Sequence, residues 1–379
     1  MSRTLATGNH AAGHALALAG EANRNARGCC AGAYPITPQT EIIEYLSGFP
    51  FSKGRIVLVE SEHSAMGVCI GAALSGARTF TASSSNGLAY MTENVFAAGY
   101  YRLPTVMIAV NRTLGPPWNI WVDQGDSLMM RDAAWMQFYC DSHQDLQDTV
   151  LMAFRVAEDK RVMLPVIVAM DGFVTSHTQM VVDEPTQEQF DAYLPEFVIT
   201  HNLKHDHPST FGGMTWPSET EHHRWEIQHS MESAMTVLEE ARDEFEKIFG
   251  RRPAGALETF ETEDADTIFI ACNTMARTLR NVVIERRKNG EKIGMIRSKL
   301  FRPFPRKELL EAIGPAKRVA VLDRNHSPGS GGIFWQEVAA TLSHDPDMLL
   351  QDYLVGLGGG DVTPENINAI IDDMSERTT

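Results

Sequence analysis

Short runs of apolar, often β-branched residues recur along the chain, and most are followed by a segment of helical spacing. That alternation predicts parallel strands joined by crossover helices. The clearest instance is residues 55–76, RIVLVESEHSAMGVCIGAALSG. Ile56, Val57 and Val59 read as a strand buried on both faces, the chain turns at Ser61, and 65–74 reads as a helix closed by Gly76. That helix is too apolar for a surface position, so it packs inside. Further strands are predicted over 29–34, 78–83, 105–110 and 163–170, and helices over 39–46, 88–101, 132–139 and 146–159. The first twenty residues read as an opening helix that starts near Thr7. A second series begins at Asp266, with strands over 267–271, 292–297 and 319–323 and helices over 274–289, 306–313 and 333–342. The expected architecture is therefore α/β: a doubly wound domain over 1–250 with an irregular extension at about 181–230, a linker over 251–265, and a second α/β domain over 266–379. An amphipathic helix over 231–249, closed by Gly250, ends the first domain.

Charge and cysteine content narrow the classes of partner. With 33 Lys and Arg against 49 Asp and Glu, the net charge of −16 disfavours nucleic acid and anionic membrane. No apolar run reaches the ~20 residues of a membrane span. Asn9, His10 and His14 interrupt the N-terminal stretch, which therefore does not read as a signal peptide. Five cysteines, odd in number and without a C-x-x-C pair, suit a reducing, cytoplasmic setting and provide no iron–sulfur or zinc signature in this chain. Six of the 13 histidines fall between His201 and His229 in a spacing that fits no zinc template, so that stretch reads as a solvated or interface loop and no metal site is expected.

Candidate chemistry collects where strands end, because open α/β sheets bind ligands at the carboxyl ends of their strands. Glu60, Glu62 and His63 stand at one such junction. An acid there is either a ligand group or simply a partner for the positive end of the helix dipole. Pro35 and Pro38 force the segment between them to be extended, which holds the Thr37 hydroxyl at the mouth of the sheet. Thr37 reads equally as the N-cap of the next helix. Asn111 and Arg112 end another strand. An arginine in that position either pairs with a nearby acid or offers its two parallel donors to a carboxylate substrate. The segment 112–131, rich in Gly, Pro and Trp and carrying Asp123 and Asp126, is long enough for a functional loop. The glycine-rich turn over 325–332 lacks a phosphate-loop pattern and reads as structural.

These residues also carry a family resemblance. Tyr34-Pro-Ile-Thr-Pro38, Val59-Glu-Ser-Glu-His63, Asn111-Arg112, Asn119-Ile-Trp121, Arg131-Asp132, Asp171-Gly-Phe173 with Ser176-His177, Phe301-Arg-Pro-Phe304, Asp323-Arg-Asn325 and Gly356-Leu-Gly-Gly359 with Asp361 resemble the α subunit of 2-oxoacid:ferredoxin oxidoreductases. The match runs in order from about residue 5 to 370. The resemblance implies a thiamine-diphosphate pyrimidine-binding domain followed by a transketolase-C-terminal-like domain. It implies that Glu62 hydrogen-bonds the aminopyrimidine of thiamine diphosphate, with Ser85 and Asn86 also at the cofactor. Thr37 would donate to the substrate or first intermediate, and Arg112 would clamp the 2-oxoacid carboxylate. It further implies that a β subunit shares the cofactor and holds the diphosphate with Mg²⁺, and that γ and ferredoxin-like δ subunits complete the complex. Partner subunits carry 4Fe–4S clusters, coenzyme A takes the acyl group, and ferredoxin or another acceptor takes the electrons. Two departures bear on the substrate. Pro116-Pro117-Trp118 and Val122-Asp123-Gln124 stand where pyruvate-type chains have Ala-Pro-Ile and Asn-Asp-His, and Gly360 stands where many relatives have arginine. Trp118 and Trp121 offer aromatic walls in that remodelled loop, so Trp118 is expected to line the substrate, which is pyruvate or an aromatic 2-oxoacid such as phenylglyoxylate. A transketolase-like transferase subunit and a non-catalytic structural subunit are the alternatives.

Overall fold

The computed structural model describes residues 2–199, 202–345 and 347–377; His201, in the histidine-rich stretch, lies outside them. The first half runs β1 (Ser2–Thr7), α1 (Gly8–Glu21), β2 (Cys29–Ala33), α2 (Thr40–Gly48), β3 (Gly54–Leu58), α3 (Glu62–Leu74), β4 (Arg78–Ser83), α4 (Ser85–Tyr90), α5 (Thr92–Tyr100) and β5 (Val106–Asn111). It continues through α6 (Gly125–Leu128), β6 (Met136–Tyr139), α7 (His143–Ala157), β7 (Val166–Asp171), β8 (Gln179–Glu184), α8 (Gln187–Tyr193) and α9 (Pro217–Phe249). The second half holds β9 (Leu257–Phe260), β10 (Thr267–Ala271), α10 (Asn273–Lys288), β11 (Ile293–Ser298), β12 (Leu300–Arg302), α11 (Arg306–Ile313), β13 (Arg318–Asp323), α12 (Ile333–Leu342), β14 (Leu349–Leu354) and α13 (Pro364–Glu376).

Strand order is β12-β6-β7-β5-β4-β2-β3 in the large sheet and β14-β13-β10-β11-β9 in the small one. Among the described residues each of these two sheets has one antiparallel edge strand, β12 against β6 and β9 against β11. The doubly wound α/β expectation therefore holds. Alternate residues of each central strand feed different cores, as the period of two requires. Val106, Ile108 and Val110 pack with α1, α2, α7 and α9, whereas Met107 and Ala109 face α3, α4 and α5. This second core also contains Ile268 and Ile270 of β10, Leu309 of α11 and Phe334 of α12, so the two halves share it. Phe269 and Ala271 point the other way, onto α10 and α13. Gly32 allows α3 to lie directly on β2: a Cβ there would approach the Ala65 carbonyl oxygen to 1.9 Å.

Several elements differ from expectation. Residues 132–139 contain no helix. Met136–Tyr139 is strand β6, buried at every position between β7 and β12. A segment buried on both faces has no polar stripe by which a strand is told from a helix. The helix expected to start near Thr7 is α1, with Thr7 as its N-cap, but the residues ahead of it form a strand: Ser2–Thr7 pairs antiparallel with Gln179–Glu184, which gives order to part of the stretch expected to be irregular. In the same stretch Gln187–Tyr193 forms a helix with a Thr186 capping box, and the helix expected from 231 begins at Pro217. The stretch expected as linker carries β9 of the small sheet. The helix expected over 88–101 is two, broken at Met91.

Candidate active site

In the large sheet β2 lies between β3 and β4, and the chain leaves this pair in opposite directions. Crevices at such switch points, at the carboxyl ends of the strands, are the ligand sites of open α/β sheets. The loops leaving β2, β3, β4 and β5 carry Thr37, Glu62, Ser85 with Asn86, and Arg112 respectively. All the candidate residues thus come from one edge of one sheet.

Glu62 is the first residue of α3, whose N-cap is Ser61; the Ser61 hydroxyl accepts the Ser64 N–H. The cap satisfies a backbone donor, which leaves the Glu62 carboxylate unused by its own helix. It is 7% exposed and has no hydrogen-bond partner among the described residues. Its neighbour is Gly87: a Cβ on that residue would come within 2.5 Å of Glu62 Oε1 and 2.6 Å of Ser83 Oγ. The Ser83 and Ser84 hydroxyls are buried without a partner among the described residues. Unsatisfied buried polar groups of this kind are costly unless something else pairs with them. The Glu62 carboxylate and the open Ser83 hydroxyl meet at the bare Gly87, a polar set that suits a hydrogen-bonding ring. The residues present fit the aminopyrimidine that the resemblance implies.

Arg112 is near enough to Glu62 for the carboxylate to support its charge. It is 6% exposed, donates from Nη1 to the Thr37 carbonyl oxygen at 2.6 Å, and has its guanidinium carbon 5.0 Å from the centre of the Trp118 ring. Its buried Nε has no partner among the described residues. Burial lowers its pKa, while Asp126 and Glu62 act in the opposite sense. The alternative reading of Thr37 as an N-cap does not hold. Helix α2 starts at Thr40, Gln39 is in the cap position without a side-chain cap bond, and Thr37 is exposed. Trp118 is also half exposed (54%), so it overhangs the arginine from the rim rather than from a closed wall.

Ser85 and Asn86 open α4. Ser85 has a left-handed backbone, φ 50°, held by its N–H to Asp126 Oδ2 at 2.8 Å and by its hydroxyl to the Thr113 carbonyl. Asn86 is exposed and its Oδ1 accepts from Gly115 N–H at 3.2 Å. Asp126, noted in the sequence only as an acid in a long loop, is fully buried. It accepts from Ser85 N and Arg112 N through Oδ2, and from Asn111 Nδ2 and Ser127 N through Oδ1. Burial pushes its carboxyl up to about 7 against those donors, which favour the ionised form. Nothing in the spacing of the sequence singled out Ser83, Ser84, Gly87 or the place of Asp126.

The loop that carries Trp118 is tied to the second half of the chain. Asn119 Nδ2 donates to the Gly358 carbonyl at 3.0 Å and Gln124 N donates to the Arg324 carbonyl at 3.0 Å; within the first half the Trp121 ring lies 4.9 Å from that of Phe173 at a tilt of 58°. Among the described residues no group of three His, Cys, Asp or Glu side chains is placed to hold a metal ion, and no helix is long and apolar enough to cross a membrane.

Comparison with known proteins bears on this geometry. The family described as pyruvate flavodoxin/ferredoxin oxidoreductase, thiamine diP-bdg, matches residues 22–243, and pyruvate:ferredoxin oxidoreductase core domain II matches residues 265–367. The chain is 43% identical to pyruvate synthase subunit PorA of Methanothermobacter thermautotrophicus over 89% of its own length and 88% of the relative's. It is 40% identical to ketoisovalerate oxidoreductase subunit VorA of Pyrococcus horikoshii over 99% and 94%. In fold it is similar to the 2-oxoglutarate:ferredoxin oxidoreductase of Magnetococcus marinus, solved with 2-oxoglutarate, coenzyme A and succinyl-CoA bound. The TM-score there is 0.75 at 20% identity, covering 98% of this chain and 65% of that longer one.

Proposed function

The chain belongs to the family of 2-oxoacid:ferredoxin oxidoreductase α subunits, and we propose that it forms half of a thiamine-diphosphate site for the oxidative decarboxylation of an apolar 2-oxoacid. The overall change balances as 2-oxoacid anion plus coenzyme A thiol giving acyl-coenzyme A, CO₂, one proton and two electrons. The observation that carries the reading is the pairing, at one switch point, of a buried carboxylate without a partner among the described residues and a buried arginine with an open Nε.

Thiamine diphosphate, when bound, supplies the carbon nucleophile and the electron sink that decarboxylation of a 2-oxoacid requires. Glu62, held at the start of α3, is the group to accept a charge-assisted hydrogen bond from the pyrimidine ring, and its burial strengthens that bond. Ser85 and Asn86 line the same side. Arg112 already spends Nη1 on the Thr37 carbonyl, which fixes the plane of the guanidinium and leaves Nε for the substrate carboxylate. Preorganisation of this kind lowers the entropic cost of holding the substrate for attack. The exposed Thr37 hydroxyl is the donor to the substrate oxo group. Trp118 covers the clamp and gives an apolar surface to the substrate side chain.

Trp118, over Arg112, is 54% exposed, and Leu58 and Tyr90, the last residues of β3 and α4, are 67% and 61% exposed. Large apolar groups around an open site favour coverage by a partner. The partner proposed is a β subunit that shares thiamine diphosphate and holds its diphosphate and Mg²⁺. The γ and ferredoxin-like δ subunits supply the 4Fe–4S clusters on the way to ferredoxin or another acceptor. The five free cysteines suit a cytoplasmic complex. The relatives are named for pyruvate and ketoisovalerate, and the Trp118 face extends the class to an aromatic acid such as phenylglyoxylate. The test is viologen dye reduction by the purified complex with pyruvate, ketoisovalerate and phenylglyoxylate in parallel, with and without coenzyme A. Coenzyme A-dependent turnover of at least one is expected, and the preferred acid identifies the substrate. Silence on all three overturns the apolar-substrate reading.

A further inference from the structure

We propose that Asp126 is the positioning residue that holds the 2-oxoacid clamp and the cofactor turn in one register; the proposal rests on the role given above to Arg112. The side chain of Asp126 is fully buried and all four of its contacts are donors: Ser85 N at 2.8 Å, Arg112 N at 3.0 Å, Asn111 Nδ2 at 2.8 Å and Ser127 N at 2.8 Å. Only an acceptor-only group satisfies four donors with two oxygens. An asparagine in its place would turn an NH₂ group toward two N–H donors and lose both bonds. The Arg112 guanidinium does not pair with this carboxylate, since it reaches away to the Thr37 carbonyl and lies under Trp118. A buried carboxylate without a counter-ion in contact is a costly way to staple a loop. Here it meets two backbone positions that have to stay fixed relative to one another.

Those positions belong to different loops. Ser85, with its left-handed φ of 50°, starts the turn beside Glu62 and Gly87. A non-glycine residue keeps such a backbone only where its surroundings over-determine it. Arg112 directly follows Asn111, the last residue of β5. One carboxylate oxygen, Oδ2, binds both amides, so the distance between the cofactor turn and the clamp is set by a single atom. Asp126 itself is carried by α6, whose Leu128 lies in the core shared by the two halves.

The test uses the whole purified complex and compares Asp126→Asn, Arg112→Lys and the double variant in viologen reduction. Arg112→Lys is expected to raise KM for the 2-oxoacid at least tenfold. Asp126→Asn is expected to raise it to a similar extent with kcat within about threefold. In the Arg112→Lys background Asp126→Asn is expected to add less than threefold, because both act on one contact. The thiamine diphosphate needed for half-activation is expected to rise with Asp126→Asn in either background. If Arg112→Lys raises KM and Asp126→Asn does not, or if the two effects multiply in full, the positioning role is wrong while the function stands. If Arg112→Lys leaves KM unchanged, both fall together. Asn111→Ser, which frees Oδ1 without removing the charge, covers the case in which Asp126→Asn does not assemble. A smaller rise in KM supports the role, and an unchanged KM overturns it.

Discussion

Arg112 faces a problem of solvation that its neighbours solve only in part. Burial works against its charge, Asp126 and Glu62 support it from a distance, and one of its donors is left open. Lysine in its place would bring a point charge without the parallel donors, so Arg112→Lys should raise KM for the 2-oxoacid by about 10–100-fold, about 1.4–3 kcal/mol, in steady-state dye reduction. Asp323 gives a pH prediction at the same scale. It accepts from Phe334 N, Trp335 N and Asn325 Nδ2, yet burial pushes its carboxyl up to about 7. Its folded pKa therefore lies above the unfolded value near 3.9, and the folded chain binds the extra proton between the two. The stabilisation is whole below about pH 4 and is lost as pH rises to about 7, by about 4 kcal/mol at most. Melting temperatures at pH 4.5 and 7.5 should thus favour the wild type over Asp323→Asn more strongly at the lower pH; a larger wild-type advantage at pH 7.5 would contradict the assignment.

At the scale of elements, the glycine turn over 356–359 works as a seat for the loop that carries Trp118 and Trp121. Gly359 has φ 82°, and a Cβ on it would approach Trp121 Cβ to 2.1 Å. Gly359→Ala should destabilise the chain by about 1–3 kcal/mol through overpacking and backbone strain. Because Trp121 and Trp118 share the loop, it should also raise KM. Thermal melting and dye kinetics on one preparation read both effects. This seat was legible in the sequence only as a run of glycines. Thr37, Glu62 and Arg112 were legible as candidates because each follows a short apolar run, and strand ends are where an α/β sheet presents side chains. Their convergence was not legible, since it depends on the order of strands across the sheet. Strand β6 was misread because Met136, Gln137, Phe138 and Tyr139 are all buried, so no face is polar. Strands β1 and β8 escaped because each is stabilised by the other across the whole first domain, a pairing without any local signal.

For the whole molecule, the two halves are joined by more than a linker. The core between the sheets holds Met107 and Ile167 together with Ile268, Val319 and Phe334. Asp171, at the end of β7, accepts from Asn273 Nδ2 at 2.8 Å and from Thr274 N at 3.2 Å. Lys299 and Arg297 both reach Asp145 at the start of α7. Domains that share a core of this kind lose the interface and the fold together. Calorimetry of the isolated chain should show one unfolding transition; two resolved transitions would mean that the joint is weaker than its contacts. The same joint supports the loop that carries Trp118, so under the proposed function both halves contribute to the site, although Glu62, Thr37 and Arg112 come from the first. The most direct test of that catalysis is the rate of 2-oxoacid-dependent viologen reduction by the assembled complex carrying Glu62→Gln. Loss of the pairing carboxylate is expected to lower the rate by at least about 100-fold, about 2.7 kcal/mol, with subunit composition unchanged. An assembled Glu62→Gln complex that turns over at near the wild-type rate would contradict the account.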